Sequence, residues 1–331
     1  MSGIPSDIAP IVQKIKGCSS CVIVSHENPD GDSLGAQIGL ALGLKKLGIK
    51  NQIRCKDPVP SIYDFLPGTE LLIPSRSVRI GQGDILVVLD CGNLERTGIS
   101  FIPHPPPMVI NIDHHVSNTG FGHINWVDRG ASATSEMVFH LLQCLAVAID
   151  PFIATNLYTG ILTDTGSFEY SNTTAQCLDI ASQLVRAKAD PHAISSAVYD
   201  RKSLPAIRLM GHVLSDMEIH HDQSVALLTV TRQLLEDLNA TYEDTEELVV
   251  IPQQIESIRI SILIKELDDE EFKVSLRSKG RLDVSQIAER LGGGGHPNAA
   301  GIKMKGSLHY VRKEILTITR ALLSLSTEIP A

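Results

Sequence analysis

The chain has 331 residues, 43% of them hydrophobic, and a formal net charge of −9. This length and apolar content suffice for one large or two ordinary domains with ample cores, and the negative charge excludes a general nucleic-acid coat protein. The sequence contains no apolar run of 18 residues and no signal-peptide pattern, so we expect a cytoplasmic protein without a membrane partner. A single CxxC, Cys18 to Cys21, is too little for a zinc site and favours reduced, buried thiols.

The first part of the chain alternates short apolar runs with helical patterns. The runs at 85–89 and 109–112 are continuously apolar, which is typical of parallel strands covered on both faces. Ser33 is the expected N-cap of its helix. The pattern predicts βαβ units in an α/β fold, with a doubly wound, mostly parallel sheet. The predicted elements are helix Pro5–Lys16, strand Cys21–Ser25, helix Ser33–Leu47, strand Asn51–Cys55, strand Ile85–Leu89 and strand Val109–Ile112.

A mostly helical stretch follows, and a sheet pattern then restarts. The predicted helices of this stretch are Ser132–Ala148, Pro151–Leu162, Thr174–Ala189, Pro191–Asp200 and Leu204–Met217. The elements predicted after it are strands Val225–Thr231, Ile258–Glu266 and Phe272–Arg277, helix Val284–Leu291, strand Gly301–Lys305 and helix Leu308–Ser326.

This change of pattern predicts two domains. We place a first domain at residues 1–188, a helical linker at 189–222 and a smaller α/β domain at 223–331. Between Phe272 and Lys313 there are nine Lys or Arg and two Asp or Glu, a local excess of +7. The second domain is therefore expected to have a face that meets an anion, although the whole chain is acidic.

Carboxylates and imidazoles follow several predicted strands and one helix at the points where these elements end. In an open parallel sheet the ligand site lies at the carboxyl ends of the strands, so these side chains are expected to meet. Carboxylate and imidazole groups gathered in this way are the ligands of a two-metal hydrolytic site. The residues are His26, Asp30, Asp32, Asp90, Asp113, His114, His115 and Asp164.

Each of these residues also has an ordinary alternative role. Asp30 and Asp32 alone are typical of turn and N-cap positions, and Asp90 alone is typical of an Asx-turn after a strand. Asp164 alone would be a helix-end residue, and His115 alone a surface histidine. Their shared position at the ends of strands and helices is what favours a common site.

The second domain contains candidates for binding phosphate. Four consecutive glycines expose backbone N–H groups that can hold an anion, although a bare glycine run also suits a flexible turn. Arg277 ends a strand beside two serines and can contact a phosphate through two N–H groups; a solvated strand end is the equal alternative. Arg96 is a further candidate, with a salt bridge to Glu95 or to another neighbour as its alternative. The candidates are Arg277, Gly293, Gly294, Gly295, His296, Asn298 and Arg96.

Two motifs together resemble a known family. Asp113-His114-His115, with HisxxxAspxAsp upstream, resembles the signature of the DHH phosphoesterase superfamily. The stretch GGGGHPNAAG from Gly292 to Gly301 resembles the signature of the associated DHHA1 domain. The resemblance covers nearly the whole chain in the right order. In size the chain is similar to the stand-alone subgroup, which includes nanoRNase/pAp phosphatases and phosphodiesterases of linear or cyclic di-adenosine nucleotides.

The resemblance implies a role for each motif residue. It implies two Mn²⁺ ions, with Mg²⁺ or Co²⁺ as substitutes, that activate a bridging water. Asp113 would orient a ligand and His115 would face the scissile phosphate. The active site would lie in the cleft between the domains, where Arg277 and the glycine loop bind the far phosphate. One ion would be bound by His26, Asp30 and Asp90, and the other by Asp32, Asp90, His114 and Asp164.

The expected function is hydrolysis of short oligoribonucleotides, of adenosine 3′,5′-bisphosphate (pAp), or of both. The alternatives are a phosphodiesterase of cyclic di-AMP or pApA, an inorganic pyrophosphatase or exopolyphosphatase, and a regulatory module that binds nucleotide without hydrolysis. The seven Phe and six Tyr are too few for a long base-stacking track, so the expected partner is a short RNA or a mono- or dinucleotide. The oligomeric state stays open, with a homodimer among the alternatives.

Overall fold

The computed structural model describes residues 7–268 and 270–326, and the chain divides into two compact units, Met1–Arg201 and Lys202–Ala331. Residues 5 and 6 of the predicted first helix, and the ends 1–6 and 327–331 of the two predicted domains, lie outside the described residues.

The first unit is built on a six-stranded sheet in which every neighbouring pair is parallel. The strand order is β3-β2-β1-β5-β7-β8, and β4 and β6 form a separate parallel pair. The strands are β1 Ser20–Val24, β2 Asn51–Cys55, β3 Leu72–Pro74, β4 Ser77–Arg79, β5 Asp84–Leu89, β6 Ser100–Ile102, β7 Val109–Asp113 and β8 Ile124–Val127. The helices are α1 Ala9–Gly17, α2 Gly31–Lys46, α3 Thr134–Cys144, α4 Pro151–Asp164, α5 Ala175–Arg186 and α6 Pro191–Tyr199.

Both faces of this sheet are buried, as the continuous apolar runs predict. Alternate strand residues such as Ile23 and Val87 belong to a large apolar cluster with side chains from α1 to α6. The intervening residues, such as Val22, belong to a smaller cluster that includes Val78 of β4 and Phe101 of β6. The α/β class and the mostly parallel sheet are confirmed.

Helix α2 begins earlier than predicted because Asp30, not Ser33, is its N-cap. Asp30 has an extended backbone, and its Oδ1 accepts a hydrogen bond of 2.9 Å from the Ser33 backbone N–H. The Ser33 hydroxyl in turn accepts a bond of 2.9 Å from the Asp30 N–H. This reciprocal capping box satisfies two N–H groups at the helix start, so Gly31 and Asp32 are already helical.

A stripe of glycines allows α2 to pack unusually close to α4. Gly31, Gly35, Gly39 and Gly43 are four residues apart and therefore lie along one side of the helix. A Cβ atom added to Gly35 would lie 2.3 Å from the backbone oxygen of Asn156 in α4. This close approach brings the start of α2 beside the end of α4, where Asp164 lies.

The second unit contains a mixed six-stranded sheet of order β13-β14-β12-β11-β10-β9. Only β10 and β11 are parallel among its pairs in the described residues. One face packs on α9 and α10, and the other on α7 and α8. The elements are α7 Leu204–Ser215, β9 Glu218–His220, β10 Val225–Val230, α8 Arg232–Leu238, β11 Ile260–Asp268, β12 Glu271–Ser278, α9 Ser285–Arg290, β13 Gly294–His296, β14 Ala299–Lys305 and α10 Leu308–Ser326.

The predicted linker, 189–222, contains α6 and α7, and the division between the units falls between these two helices. Ile194 and Val198 of α6 pack in the core of the first unit, whereas Leu209 and Val213 of α7 pack in that of the second. In the described part of the chain, no helix is both long and apolar enough to cross a membrane.

Candidate active site

The structure brings the carboxylates and imidazoles of the first unit together at one edge of its sheet. His26 follows β1, Asp90 follows β5, and Asp113 is the last residue of β7. These three strands are neighbours and parallel, so their carboxyl ends meet. Helix α2 adds Asp32 from its first turn, and α4 ends at Asp164.

One group of possible ligands surrounds His26. Its Nε2 lies 3.4 Å from Asp90 Oδ2 and 3.6 Å from Asp30 Oδ2. Its other nitrogen, Nδ1, lies 2.8 Å from the backbone oxygen of Glu27, which fixes the orientation of the ring. Donor atoms of His26, Asp30 and Asp90 all lie within 4.8 Å of one another, close enough to bind one ion.

A second group surrounds His114. Its Nε2 lies 3.4 Å from Asp164 Oδ2 and 3.6 Å from Asp90 Oδ1, and its Nδ1 lies 3.2 Å from the backbone oxygen of Ala131. Donor atoms of Asp32, His114 and Asp164 also lie within 4.8 Å of one another. Asp90 thus presents one carboxylate oxygen to each histidine, which is the placement required of a ligand shared by two ions.

Asp90 has a backbone conformation that few non-glycine residues adopt. Its φ is +52°, in the left-handed region, directly after β5. Its N–H donates to the Ile112 oxygen at 3.0 Å, and its Oδ1 accepts a 3.1 Å bond from the Thr134 hydroxyl. A residue in this region costs about 1–2 kcal/mol, and such strain concentrates at functional sites.

Asp32 caps a helix other than its own. Its Oδ2 accepts a 2.6 Å bond from the Thr134 N–H, and its Oδ1 a 2.8 Å bond from the Ser135 N–H, at the start of α3. The side chain of Ala133, the N-cap residue of α3, makes no capping bond, so Asp32 satisfies N–H groups that would otherwise be unpaired. Neither Thr134 nor Ser135 carries a local sequence signal for this contact.

Asp113 and His115 form a pair beside the two groups, and a donor atom of His115 also lies within 4.8 Å of donor atoms of Asp90 and His114. Asp113 is fully buried, and its Oδ1 lies 2.7 Å from His115 Nδ1. Asn118 donates to the other oxygen of Asp113 at 2.6 Å. The His115 ring is one-third exposed, and its Nδ1 also lies 3.6 Å from Asp90 Oδ1. Asp113 therefore orients His115 rather than entering either ligand group.

The charges in this site compete with one another. Burial and the neighbouring charges of Asp90 and Asp164 raise the pKa of Asp32 well above its usual value. Burial, opposed by His114 and assisted by Asp90, raises the pKa of Asp164 to about 6. Burial lowers the pKa of His26, but bonds to Asp30 and Asp90 outweigh it and raise this pKa to about 10.

This crowding of acidic groups is what a divalent cation would relieve. Without a cation, the protons of the imidazoles offset the carboxylate charges at short distance. A mixed set of carboxylate oxygens and imidazole nitrogens is suited to first-row metals such as manganese, iron and zinc. The donor set and its spacing therefore fit a metal site.

The backbone oxygen of Arg96 accepts a 2.8 Å hydrogen bond from the N–H of Glu27, the residue after His26. Arg96 therefore lies close to His26. Its side chain is exposed, and within the described residues it forms no ion pair with Glu95.

Arg277 is the seventh residue of β12, opposite Ser261 of β11 and Ala299 of β14. Its side chain is half-buried, and its Nη1 donates to the Leu276 oxygen at 3.0 Å. Burial is not complete at this position, so the guanidinium keeps donors for a ligand.

The glycine loop is more ordered than a flexible turn, because Gly294–His296 forms the short strand β13 against β14. A Cβ atom on Gly293 would lie 2.3 Å from the Gly301 oxygen, and one on Gly295 would lie 2.4 Å from the Ala299 oxygen. A side chain at Gly293 or Gly295 would thus collide with β14, while Gly294, Gly295 and His296 are all exposed on their other side.

Asn298 fixes the neighbouring turn. Its amide nitrogen donates to the Ser278 hydroxyl and to the Gly280 oxygen, both at 3.0 Å.

Comparison with known proteins identifies the family. Residues 20–161 match the family described as "DHH family, N-terminal domain", and residues 222–322 match the family described as "DHHA1 domain". The bifunctional oligoribonuclease and PAP phosphatase NrnA of Thermus thermophilus is 36% identical over 299 residues, which are 90% of this chain and 88% of that protein. This chain belongs to the DHH family. The resemblance in the sequence motifs is thereby confirmed.

Further DHH relatives agree along nearly the full length. The protein of the same description from Bacillus subtilis is 28% identical over 295 residues, 88% of this chain and 91% of that protein. The crystal structure of an exopolyphosphatase-related protein from Bacteroides fragilis has a TM-score of 0.85 and 28% identity, and covers 96% of this chain and 98% of that one. The homologues are hydrolases of phosphate esters, and this DHH protein is an enzyme of that class.

Proposed function

We propose that this protein is a metal-dependent phosphoesterase that hydrolyses short oligoribonucleotides and pAp. The observation that carries the proposal is the position of Asp90, which presents one oxygen to His26 and the other to His114. The relatives described as oligoribonuclease and PAP phosphatase support the choice of substrate. Two Mn²⁺ ions, a cytoplasmic location and a homodimer stay predictions.

Of the eight residues at the sheet edge, six would bind metal, His115 would face the phosphate and Asp113 would orient His115. When bound, two ions would supply an activated water near neutral pH and neutralise charge on the phosphate. Asp32 would bind metal while it caps α3, because each carboxylate oxygen has two lone pairs. The ligands of the first ion would be His26, Asp30 and Asp90, and those of the second Asp32, Asp90, His114 and Asp164.

His115 would act on the phosphate itself. Asp113 engages its Nδ1 at 2.7 Å, so Nε2 is the nitrogen left for a substrate. The ring is more exposed than that of His114, at 34% against 15%. A protonated His115 would donate from Nε2 to a phosphate oxygen and stabilise the charge that develops during hydrolysis.

The second unit would bind a phosphate of the substrate. We propose that Arg277, Gly294 and His296 contact this phosphate, because Gly294 and His296 are exposed and Arg277 is half-buried, with its Nη1 bonded to the Leu276 oxygen. Asn298, with its amide already bonded at 3.0 Å to Ser278 and Gly280, would fix the turn beside them. Arg96, whose side chain is exposed in the first unit, would reach a phosphate near His26.

The test is a hydrolysis panel with Mn²⁺ on five substrates: pApA, pAp, cyclic di-AMP, a five-nucleotide RNA and pyrophosphate. We expect rapid hydrolysis of pApA, pAp and the short RNA, and little of the other two. The variant Asp90→Asn, purified identically, reports contaminating activity. A preference for pyrophosphate or for cyclic di-AMP, or hydrolysis of pApA without that of pAp and the RNA, would overturn the proposed substrate class. No hydrolysis of any substrate would overturn the enzyme assignment to this site.

A further inference from the structure

One amide side chain connects the end of α4, which carries Asp164, to the segment whose backbone contacts His114. Asn172 lies between α4 and α5. Its Nδ2 donates to the Asp164 backbone oxygen at 3.1 Å and to the Ser132 backbone oxygen at 3.0 Å. Asp164 is itself a proposed ligand, and Ser132 precedes α3 in the chain. Both N–H groups of the amide are therefore used to join α4 to the segment before α3.

The contact of Asn172 with Ser132 is linked to His114 through Ala131. Ser132 follows Ala131, whose backbone oxygen lies 3.2 Å from His114 Nδ1 and sets the direction of Nε2. Ser132 is held on its other sides as well: its hydroxyl donates to the Asn172 backbone oxygen at 2.5 Å, and its N–H donates to Glu136 at 3.0 Å. Movement of Asn172 would thus shift Ala131 and turn the His114 ring.

The orientation of the amide is consistent with this use. Its Oδ1 is buried and has no hydrogen-bond partner within the described residues. The amide therefore acts through its two N–H groups, each on the carbonyl group of a different segment.

We propose that Asn172 is a positioning residue that sets the separation of Asp164 and His114 and thereby the metal affinity of the group Asp32, His114 and Asp164. The inference rests on the proposed metal site. Residues that orient metal ligands from outside the site typically contribute 10- to 100-fold to affinity. The other group, around His26, has no contact with Asn172 in the described residues and should keep its affinity.

The chain offers a matched control in Asn51. It too is half-buried, and its Nδ2 donates to two backbone oxygens, those of Ile49 at 3.1 Å and Ala41 at 3.2 Å. Asn51 is the first residue of β2, at the amino ends of the parallel strands, and neither of its partners is a proposed ligand. Asn172→Leu and Asn51→Leu each remove the two donors of one amide, keep the number of side-chain heavy atoms and add no charge.

The experiment is calorimetric titration of the full chain with Mn²⁺, together with thermal melting of the metal-free proteins. We expect two binding events in the wild type, one of which weakens by about 10- to 100-fold in Asn172→Leu. Asn51→Leu should also lower the melting temperature but leave the Mn²⁺ affinity of both events within about threefold of the wild type, since its partners lie away from the ligands.

The outcomes separate this inference from the proposed function. Equal metal affinities in the two Leu variants would show that Asn172 is merely structural. A wild type that binds no Mn²⁺ would overturn the metal site as well. If Asn172→Leu does not fold, Asn172→Ser, which retains one donor, takes its place. Asn172→Ser must show a partial loss of Mn²⁺ affinity, and an unchanged Mn²⁺ affinity would refute the positioning role.

Discussion

The close approach of α2 and α4 makes Gly35 a position where one methyl group should affect both stability and metal binding. In Gly35→Ala the new Cβ would lie 2.3 Å from the Asn156 oxygen and 3.2 Å from the Gly160 nitrogen, against 3.4 Å for ordinary contact. The first contact is about 1 Å too short (3.4 − 2.3), and both atoms belong to a helix backbone that cannot rotate away.

The expected magnitude follows from two opposing effects. Overpacking of this kind costs about 1–3 kcal/mol, and exchange of a helical glycine for alanine returns about 0.5–1 kcal/mol. We therefore expect a net loss of about 1–2 kcal/mol, which lowers the melting temperature of a unit of this size by about 2–8 °C. Because α2 carries Asp32 and α4 carries Asp164, the separation of the helices should also weaken Mn²⁺ binding.

The assay uses the only tryptophan of the chain, Trp126, which is 9% exposed in β8 and reports unfolding of the first unit. The matched control is Gly17→Ala at the end of α1, where a Cβ would meet no atom within 4 Å. This control should melt at or slightly above the wild-type temperature. A Gly35→Ala protein that melts as high as the control, with unchanged Mn²⁺ affinity, would refute the close-packing argument.

Three further predictions concern the site. Asp90→Asn should abolish Mn²⁺-dependent hydrolysis of pApA, because Asp90 lies between both ligand groups; activity above a few per cent of wild type would contradict its bridging role. Arg277→Ala should raise KM for pApA about tenfold or more while bis-p-nitrophenyl phosphate, which lacks a far phosphate, is little affected; equal losses on the two substrates would argue against a clamp. Removal of metal by EDTA should abolish hydrolysis and lower the melting temperature, since an ion that binds only the folded state stabilises it. Mn²⁺ should restore both, and a melting curve unaffected by EDTA would argue against a bound metal.

The longer strands and helices of the fold were predictable from the local sequence. Continuous apolar runs such as 85–89 marked parallel strands correctly, because burial on both faces removes the alternation of polar and apolar residues. The short strands β3, β4, β6, β8, β9 and β13 and helix α8 were missed, because three to seven residues carry too little periodicity to stand out.

The start of α2 was predicted wrongly for a different reason. Ser33 and Asp30 are both good N-cap residues, and the sequence alone favoured Ser33. The structure favours Asp30 because the pair completes a capping box in which Ser33 occupies the third helical position. A reciprocal pair three residues apart was present in the sequence and could have corrected the prediction.

The contacts that support the site could not be predicted from local sequence. Asp32 was named from its motif, but its two bonds to the start of α3 depend on how two distant helices meet. Asn118 lies five residues from Asp113 and Asn172 eight residues from Asp164, but these bonds depend on loop conformations that no periodic pattern specifies. Polar residues of these types are common in loops, and only the fold shows which of them meet a ligand.

The cap that Asp32 provides to α3 has a consequence for how the protein is made. The bonded residues lie 102 and 103 positions apart in the chain, so Asp32 cannot meet its partners until synthesis has passed Ser135. Contacts at such separation form late, because the loop between them must close first. A nascent or partly unfolded chain would therefore lack an assembled ligand group, and Mn²⁺ uptake would report the completion of folding rather than guide its early steps.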